Sequence, residues 1–138
     1  MNGKNFSVVE VGSFSGLLNM SKDPIPGKYF LKDRLGLTGM EVSLNQLPEG
    51  GSIPFHTHRE NEELYIFTGG RGQFQVDGQI FDVKEGTVIR VSPEGERTLR
   101  NNGTGDLYFI VIQARAGSLR QWVETDGVIL DRPVTWQE

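Results

Sequence analysis

The sequence predicts an all-β, antiparallel fold in one domain, and three observations support this prediction. Short runs of apolar and β-branched residues recur at close spacing, and no long segment shows helical periodicity. The 18 glycines and 6 prolines lie between those runs, where turns are expected. Asp77-Gly78 separates two alternating runs, which is a strong signal for a β-hairpin. Many short strands joined by turns favour a sandwich or a barrel.

The candidate strands follow one another along most of the chain. Residues 40–45 alternate apolar and polar side chains, as a half-buried strand does. Residues 17–20 fit either a helical turn or a short strand, and residues 54–58 are expected to be extended. The remaining strands are predicted at residues 6–11, 63–67, 72–76, 79–83, 87–91, 97–100 and 107–113.

The composition is that of a soluble globular protein, with 36% hydrophobic and 23% charged residues. The net charge is −4 and the basic residues are dispersed, so a nucleic-acid partner is not expected. No apolar run reaches the roughly 18–20 residues that cross a membrane, and the first residues lack the pattern of a secretion signal. The chain has no cysteine, which excludes disulfides and thiolate chemistry. We expect a cytoplasmic protein that does not bind membranes.

The two histidines of the chain, His56 and His58, are the first candidates for a functional site. Residues i and i+2 of an extended segment project from the same face, so both imidazoles point to one volume. Glu63 follows shortly after and completes a two-histidine, one-carboxylate set, which suits a divalent metal with open positions for water or substrate. Alternatively, the pair lies on the surface of an edge strand, and the His-x-His spacing alone does not separate these readings.

Residues 50–70 resemble the first motif of the cupin superfamily. That motif places a glycine, a His-x-His pair, a glutamate and a second glycine at set distances. These positions are occupied here by Gly50, His56, His58, Glu63 and Gly70. Glu62 with Gly69 satisfies a shorter spacing, but the choice of Glu63 leaves the following Leu-Tyr-Ile-Phe run to form the usual strand.

The resemblance implies an antiparallel jelly-roll β-barrel, often dimeric, with the three metal ligands inside the barrel and facing its mouth. The metal would be Fe, Mn, Ni, Zn or Cu. Residues 40–113 are expected to form the barrel core and residues 1–39 an N-terminal arm of strand and loop. Residues 114–138 form a C-terminal extension that contains both tryptophans, and they are expected to pack on the barrel or on a partner subunit. A homodimer is therefore predicted.

The second cupin motif, which supplies a fourth histidine ligand, is incomplete in this chain. With Gly86 and Asn101 as anchors, the histidine position holds Arg97. With Pro93 as the anchor, the same position holds Thr98. Either alignment lacks the histidine, and the chain has no third histidine to replace it.

Arg97 leaves three alternatives open, because a guanidinium stays protonated and has no lone pair for a metal. In the first, His56, His58 and Glu63 hold a metal and Arg97 anchors the substrate. In the second, no metal binds, and the pocket recognises an anionic small molecule by paired hydrogen bonds. In the third, Arg97 faces away as a solvated rim residue. Tyr65 shares the predicted inner face of Glu63, where it either fills the barrel or donates a hydrogen bond to a ligand.

These residues support two main classes of function. The first is an enzyme with oxygenase- or isomerase-type chemistry on a small polar molecule, with Tyr65 and Arg97 as candidate catalytic residues. The second is a non-catalytic module that binds or senses an anionic or sugar-like small molecule and requires no metal. A structural dimer with a vestigial site is a weaker third. The fold does not choose among these classes, because one barrel hosts many activities.

Overall fold

The computed structural model describes residues 2–20 and 25–136, and β-strands dominate the described part of the chain. The strands are β1 (Lys28–Phe30), β2 (Glu41–Leu47), β3 (Asn61–Gly69), β4 (Arg71–Val76), β5 (Gln79–Lys84), β6 (Val88–Val91), β7 (Arg97–Arg100) and β8 (Leu107–Arg115). The helical elements are a 3₁₀ turn at Phe14–Gly16, α1 (Leu17–Met20) and α2 (Lys32–Leu35). The prediction of an all-β fold is confirmed.

The strands pair into two sheets, in which every pairing is antiparallel. The larger sheet has the order β1-β2-β8-β3-β6, and the smaller sheet has the order β5-β4-β7. The two sheets pack face to face around one core, and strand pairing within the described residues does not join them into a continuous closed barrel.

The main core lies between the two sheets. Phe67 and Phe109 project from the larger sheet with ring centroids 5.3 Å apart. Phe74 projects from the smaller sheet and meets the ring of Tyr65 edge to face, with centroids 4.9 Å apart. Burial of such aromatic side chains stabilises the fold by roughly 1.5–3 kcal/mol each. Every second residue of β3 from Glu63 to Phe67 points to the buried face. Glu63 therefore lies on the same face as the core residues Tyr65 and Phe67.

Most predicted strands are present with slightly different bounds, and one is wrong. Residues 6–11 do not form a strand, since an isolated bridge joins Asn2 to Ser7 and Phe6 is 55% exposed. In this fold β1 occupies the position beside β2. A β-rich run becomes a strand only where a sheet surface accommodates it. Residues 17–20 form the helical turn of the two alternatives.

A second, smaller apolar cluster lies on the outer face of the larger sheet. Leu17 of α1 and Tyr29 of β1 pack there with Leu44 of β2. Leu44 lies opposite Ile110 of β8, whereas the flanking Val111 of β8 belongs to the main core. Part of the predicted N-terminal arm therefore packs against the outside of the sheet. The domain boundaries themselves stay a prediction.

The C-terminal extension exposes its apolar side chains over residues 119–136. Val128 and Ile129 are 85% and 95% exposed, and Trp122 and Trp136 are 55% and 87% exposed. The structure therefore does not bear out packing of these side chains on the barrel of the same chain. In the described ranges, no helix has the length and apolar character needed to span a membrane.

The predicted Asp77-Gly78 hairpin is confirmed between β4 and β5. The two turn residues have φ angles of 49° and 81°. A type I′ turn requires positive φ at both central residues, and this turn matches the twist of the flanking strands. The pairing of Val76 with Gln79 follows directly from the two-residue turn.

Gly78→Ala is expected to lower the free energy of unfolding by about 1 kcal/mol, because alanine is strained at positive φ. A Cβ at Gly78 meets no atom within 4 Å, so steric contact does not contribute. Urea denaturation measures the change, with Gly39→Ala as the control. Gly39 is equally open and has no positive φ. A loss of the same size in both variants would contradict the assignment to turn strain.

Candidate metal centre

The segment of residues 52–58 carries both histidines and runs beside β7. Isolated bridges join Ser52 to Arg100 and His56 to Arg97, without a regular strand. Pro54 lies between these bridges and has no backbone donor, so a continuous ladder is interrupted there. The segment therefore borders the inner face of β3, on which Glu63 lies.

The structure brings the three predicted ligands together. One donor atom from each of His56, His58 and Glu63 lies within 4.8 Å of the others. His58 Nε2 lies 3.2 Å from Glu63 Oε2, and His56 Nε2 lies 4.0 Å from Glu63 Oε1. The imidazole centroids are 5.2 Å apart and the rings are nearly perpendicular, at 86°. Both rings share one side of the segment, as the spacing of the two residues predicts.

The tautomer of His56 follows from its main-chain neighbour. His56 Nδ1 lies 2.8 Å from the carbonyl oxygen of Pro54. Because a carbonyl only accepts hydrogen bonds, Nδ1 carries the proton and donates it. In the neutral ring Nε2 then has a lone pair, and this atom is the one on the side of Glu63. Such an arrangement orients metal-binding histidines in many sites.

His58 can also offer a lone pair on Nε2, because its surroundings favour the neutral ring. Burial lowers the pKa of His58, against the opposing effect of the Glu63 carboxylate and together with the positive charge of Arg97. Two buried nitrogens, Nε2 of His58 and Nε of Arg97, have no hydrogen-bond partner among the described residues, and they lie 3.2 and 3.4 Å from the two oxygens of Glu63. Arg97 needs only the charge of the carboxylate, whereas the lone pair of a neutral His58 ring can also be satisfied by an ion between the imidazole and the carboxylate.

The two oxygens of Glu63 have different surroundings. Oε1 accepts a hydrogen bond from the hydroxyl of Tyr65 at 2.7 Å and lies 3.4 Å from Nε of Arg97. Oε2 faces His58. Glu63 is only 4% exposed, and an ionised carboxylate at such depth requires charged or hydrogen-bonding neighbours. Oε1 therefore accepts a hydrogen bond from Tyr65, whereas Oε2 lies beside the imidazole of His58.

Tyr65 takes the first of the two roles that the sequence leaves open, that of a core aromatic side chain. Its ring is 3% exposed and belongs to the main core. Its hydroxyl donates to Glu63, not to open space. Burial and the neighbouring Glu63 carboxylate raise the pKa of Tyr65, so the hydroxyl stays a protonated donor.

Arg97 lies inside the molecule and is 0% exposed, so the prediction of a solvated rim residue is wrong. Its Nη1 donates to the carbonyl oxygens of Pro93 and Gly95, and Nη2 donates to that of Ser92. Both terminal nitrogens are thus engaged with the main chain, while Nε faces Glu63. This geometry does not support the predicted role of substrate anchor, because a ligand would have to displace those carbonyls.

Lys28 also belongs to the inner face, and no sequence motif marks it. Its Nζ donates to Ser43 Oγ at 2.9 Å and to Asn45 Oδ1 at 3.2 Å. Both of these polar side chains are 3% exposed. Burial lowers the pKa of Lys28, and the charges of Glu63 and Glu41 oppose that effect. A lone lysine in a short apolar run is usually a surface residue, so sequence reasoning has no signal for this placement.

The chain is similar to a known protein family and to a solved structure. The family described as Cupin domain matches residues 43–113. The crystal structure of a cupin protein from Bacteroides fragilis is 34% identical, with a TM-score of 0.77, and the match covers 93% of this chain and 99% of that one.

Two curated relatives match shorter stretches. Oxalate-binding protein from Thermotoga maritima is 30% identical over 67 residues, which is 49% of this chain and 55% of that protein. An uncharacterized protein from Methanocaldococcus jannaschii is 33% identical over 67 residues, which is 47% of this chain and 54% of that protein. The matched region spans about half the length of these curated relatives.

Proposed function

This chain belongs to the cupin family, and we propose that it binds a divalent metal through His56, His58 and Glu63 and acts there on a small polar molecule. The observation that carries the proposal is the convergence of three donor atoms within 4.8 Å, one of which is a buried imidazole nitrogen without a hydrogen bond. Two neutral imidazoles and one carboxylate form a donor set that suits Fe, Mn, Ni, Zn or Cu.

The residues present fit such an ion. Nε2 of His56 and Nε2 of His58 are the nitrogen donors, and Oε2 of Glu63 is the oxygen donor, because Oε1 is engaged by Tyr65 and Arg97. Outer residues of this kind orient the ligands of metal sites and tune their basicity. No fourth histidine or carboxylate joins this group among the described residues, and in one of the two alignments with the second motif Arg97 takes the place of the missing histidine.

The set of three ligands supports a reaction in which substrate completes the coordination. A divalent metal in such a site activates oxygen or polarises a carbonyl of a chelating molecule. The chain's own residues would bind and orient the metal, and the Tyr65 hydroxyl donates a hydrogen bond to the Glu63 carboxylate. We therefore favour oxygenase- or isomerase-type chemistry on a small polar molecule.

Elemental analysis of the purified, tag-free protein tests this proposal. We expect close to one equivalent of a transition metal per chain, followed by turnover in oxygen-consumption or isomerase assays. A protein that stays metal-free after incubation with each of Fe, Mn, Ni, Zn and Cu, with no shift in melting temperature, would overturn the proposal.

The second candidate function is non-catalytic binding of a small anion. It is favoured by the similarity to the oxalate-binding protein of Thermotoga maritima. Calorimetric titration with oxalate, on metal-loaded and metal-free protein, separates the two functions. Binding of oxalate to both forms without turnover of any screened substrate would favour the binding module. Binding to the metal-loaded form alone would favour the metal site.

The C-terminal extension is the proposed contact with a second copy of the chain, because its apolar side chains are exposed. We expect light scattering to give a dimer for the full chain and a monomer for a chain that ends at Gly117. Both tryptophans of the protein, Trp122 and Trp136, lie in this extension, so their fluorescence reports on it alone. The emission should shift to the blue as the protein concentration rises through the dimerisation range. A full chain that stays monomeric at micromolar concentration would contradict the homodimer.

A further inference from the structure

Arg97 contacts His56 and Glu63 directly and is linked to His58 through the carbonyl of Pro93, and its position points to a role that differs from ligand binding. We infer that Arg97 is the positioning residue of the site: its side chain and its peptide group hold His56, His58 and Glu63 in the ligating arrangement before a metal binds. The inference rests on the proposed function for the identity of the ligands, and its own evidence comes from contacts among the residues of the chain.

The link to His56 is made by the main chain. The N–H of His56 donates to the carbonyl of Arg97, and the N–H of Arg97 donates to the carbonyl of His56, both at 3.0 Å. This closed pair of hydrogen bonds fixes the backbone of His56 relative to β7. With Nδ1 of His56 also bound to the carbonyl of Pro54, both the backbone and the ring of this ligand are held.

The link to His58 passes through the turn before β7. The N–H of His58 donates to the carbonyl of Pro93 at 3.0 Å. Nη1 of Arg97 donates to that same carbonyl at 3.3 Å, and it also donates to the carbonyl of Gly95 at 2.9 Å. The carbonyl of Ser92 accepts from Nη2 at 3.1 Å. The guanidinium thus binds three carbonyls of the turn before β7, and one of these carbonyls, that of Pro93, also binds the backbone N–H of His58.

The link to Glu63 is direct. Nε of Arg97 lies 3.4 Å from Oε1, whereas Oε2 faces His58. A buried carboxylate requires a charged or hydrogen-bonding neighbour, and the guanidinium is such a neighbour. Because Arg97 is 0% exposed, its guanidinium is confined to this one arrangement.

These contacts give Arg97 a role beside a metal site although a guanidinium has no lone pair for an ion. A fourth histidine would hold the metal itself, whereas Arg97 holds the three remaining ligands. Ligands that are already ordered lose less conformational freedom when they bind an ion. A lysine does not reproduce this role, because an ammonium lacks the planar fork that reaches several carbonyls and a carboxylate at once.

Cobalt binding tests the effect of this positioning on metal affinity. Arg97→Lys and Arg97→Met are compared with the wild type by competition for Co²⁺ against a chelating indicator, and by the visible spectrum of the bound Co²⁺. We expect the affinity to fall by roughly 10–100-fold, the range found for outer residues of metal sites, with a changed spectrum. Leu99→Ala is the matched control, since Leu99 is a core residue of β7 with 2% exposure that lies outside the site.

A purely structural role for Arg97 makes a different prediction. It would lower the melting temperature of the arginine variants and of Leu99→Ala alike, and would leave the Co²⁺ affinity of all three within about twofold of the wild type after correction for folded fraction. That result would overturn the inference. Should Arg97→Met fail to fold, Arg97→Lys decides the question.

Imidazole nuclear magnetic resonance of the metal-free protein separates this inference from the proposed function. The chain has only two histidines, so the ring signals of His56 and His58 are read without crowding. In the wild type and in Arg97→Lys we expect His56 in the single tautomer with the proton on Nδ1, because the carbonyl of Pro54 fixes it. In Arg97→Lys we expect shifted ring signals from His58, because the guanidinium no longer holds the carbonyl of Pro93 that binds the His58 backbone. Unchanged ring signals in Arg97→Lys would overturn the positioning role. Absence of Co²⁺ binding in the wild type, with the ring shifts present, would refute the proposed metal function and leave the positioning role standing.

Discussion

A His58→Ala variant is expected to lose metal binding almost completely, by more than the roughly 100-fold that outer residues of such sites contribute. His58 Nε2 is buried and lies 3.2 Å from Oε2 of Glu63, so its removal takes away one of the three donors that converge among the described residues. His56→Ala should behave alike. Elemental analysis and Co²⁺ competition measure the effect, and a folded variant is verified by its melting temperature.

Thr57→Ala is the matched control for this prediction. Thr57 lies between the two histidines on the same segment, and its side chain is exposed. Its replacement should leave both the metal content and the stability close to those of the wild type. Equal metal content in His58→Ala, His56→Ala and Thr57→Ala would mean that any bound metal lies elsewhere, and the assignment of the ligands would be wrong.

An Arg97→Met variant is expected to lose about 3–5 kcal/mol of unfolding free energy in the metal-free state, as found when one partner of a buried ion pair is removed. The Glu63 carboxylate, which is 4% exposed, would then lack its cation. The carbonyl of Gly95 would lose the guanidinium as its donor as well, whereas those of Pro93 and Ser92 would keep a main-chain N–H donor. Urea denaturation at neutral pH measures the loss.

A double-mutant cycle identifies how much of that loss belongs to the ion pair. Glu63→Gln in the Arg97→Met background should recover part of the stability, because the amide carries no charge to be left buried. We expect a coupling energy of about 1–3 kcal/mol between the two positions. Arg100→Met on the same strand is the control, since Arg100 is exposed and contacts Gln73, and its loss should stay within about 0.5 kcal/mol. Strictly additive losses would show that Arg97 acts through the carbonyls alone.

Much of the fold follows from local sequence signals. Alternation in residues 40–45 predicts β2, and Asp77-Gly78 predicts the β4–β5 hairpin, because both signals depend on neighbours in the chain. The β-rich run at residues 6–11 misleads for the same reason. Propensity measures whether a run suits a pleated surface, and it carries no information on which segment occupies the position beside β2.

The candidate site likewise combines residues that are near in sequence with residues that only long-range strand pairing brings together. The His-x-His pair and the following glutamate are near in sequence, but spacing alone leaves open whether they form a site or lie on the surface. The resemblance of residues 50–70 to the first cupin motif implies that His56, His58 and Glu63 converge, and the structure brings them together. The hydroxyl of Tyr65 is also a short-range neighbour, and alternation predicts the face that it shares with Glu63. Lys28 lies on the inner face because β1 pairs with β2, and no local sequence pattern predicts that pairing.

The sequence by itself determined the all-β class and the hairpin, because periodicity and short spacing decide which side chains share a face. Its resemblance to the first cupin motif pointed to the three clustered donors. Only the tertiary structure decided what Arg97 does. The sequence leaves it open to anchor a ligand, to face solvent or to replace the metal, and the fold buries it against Glu63 and the carbonyls of its own turn. The partner of a charge is decided by contacts between residues far apart in the chain, such as positions 63 and 97, and a permanent charge takes on its role only once those contacts exist.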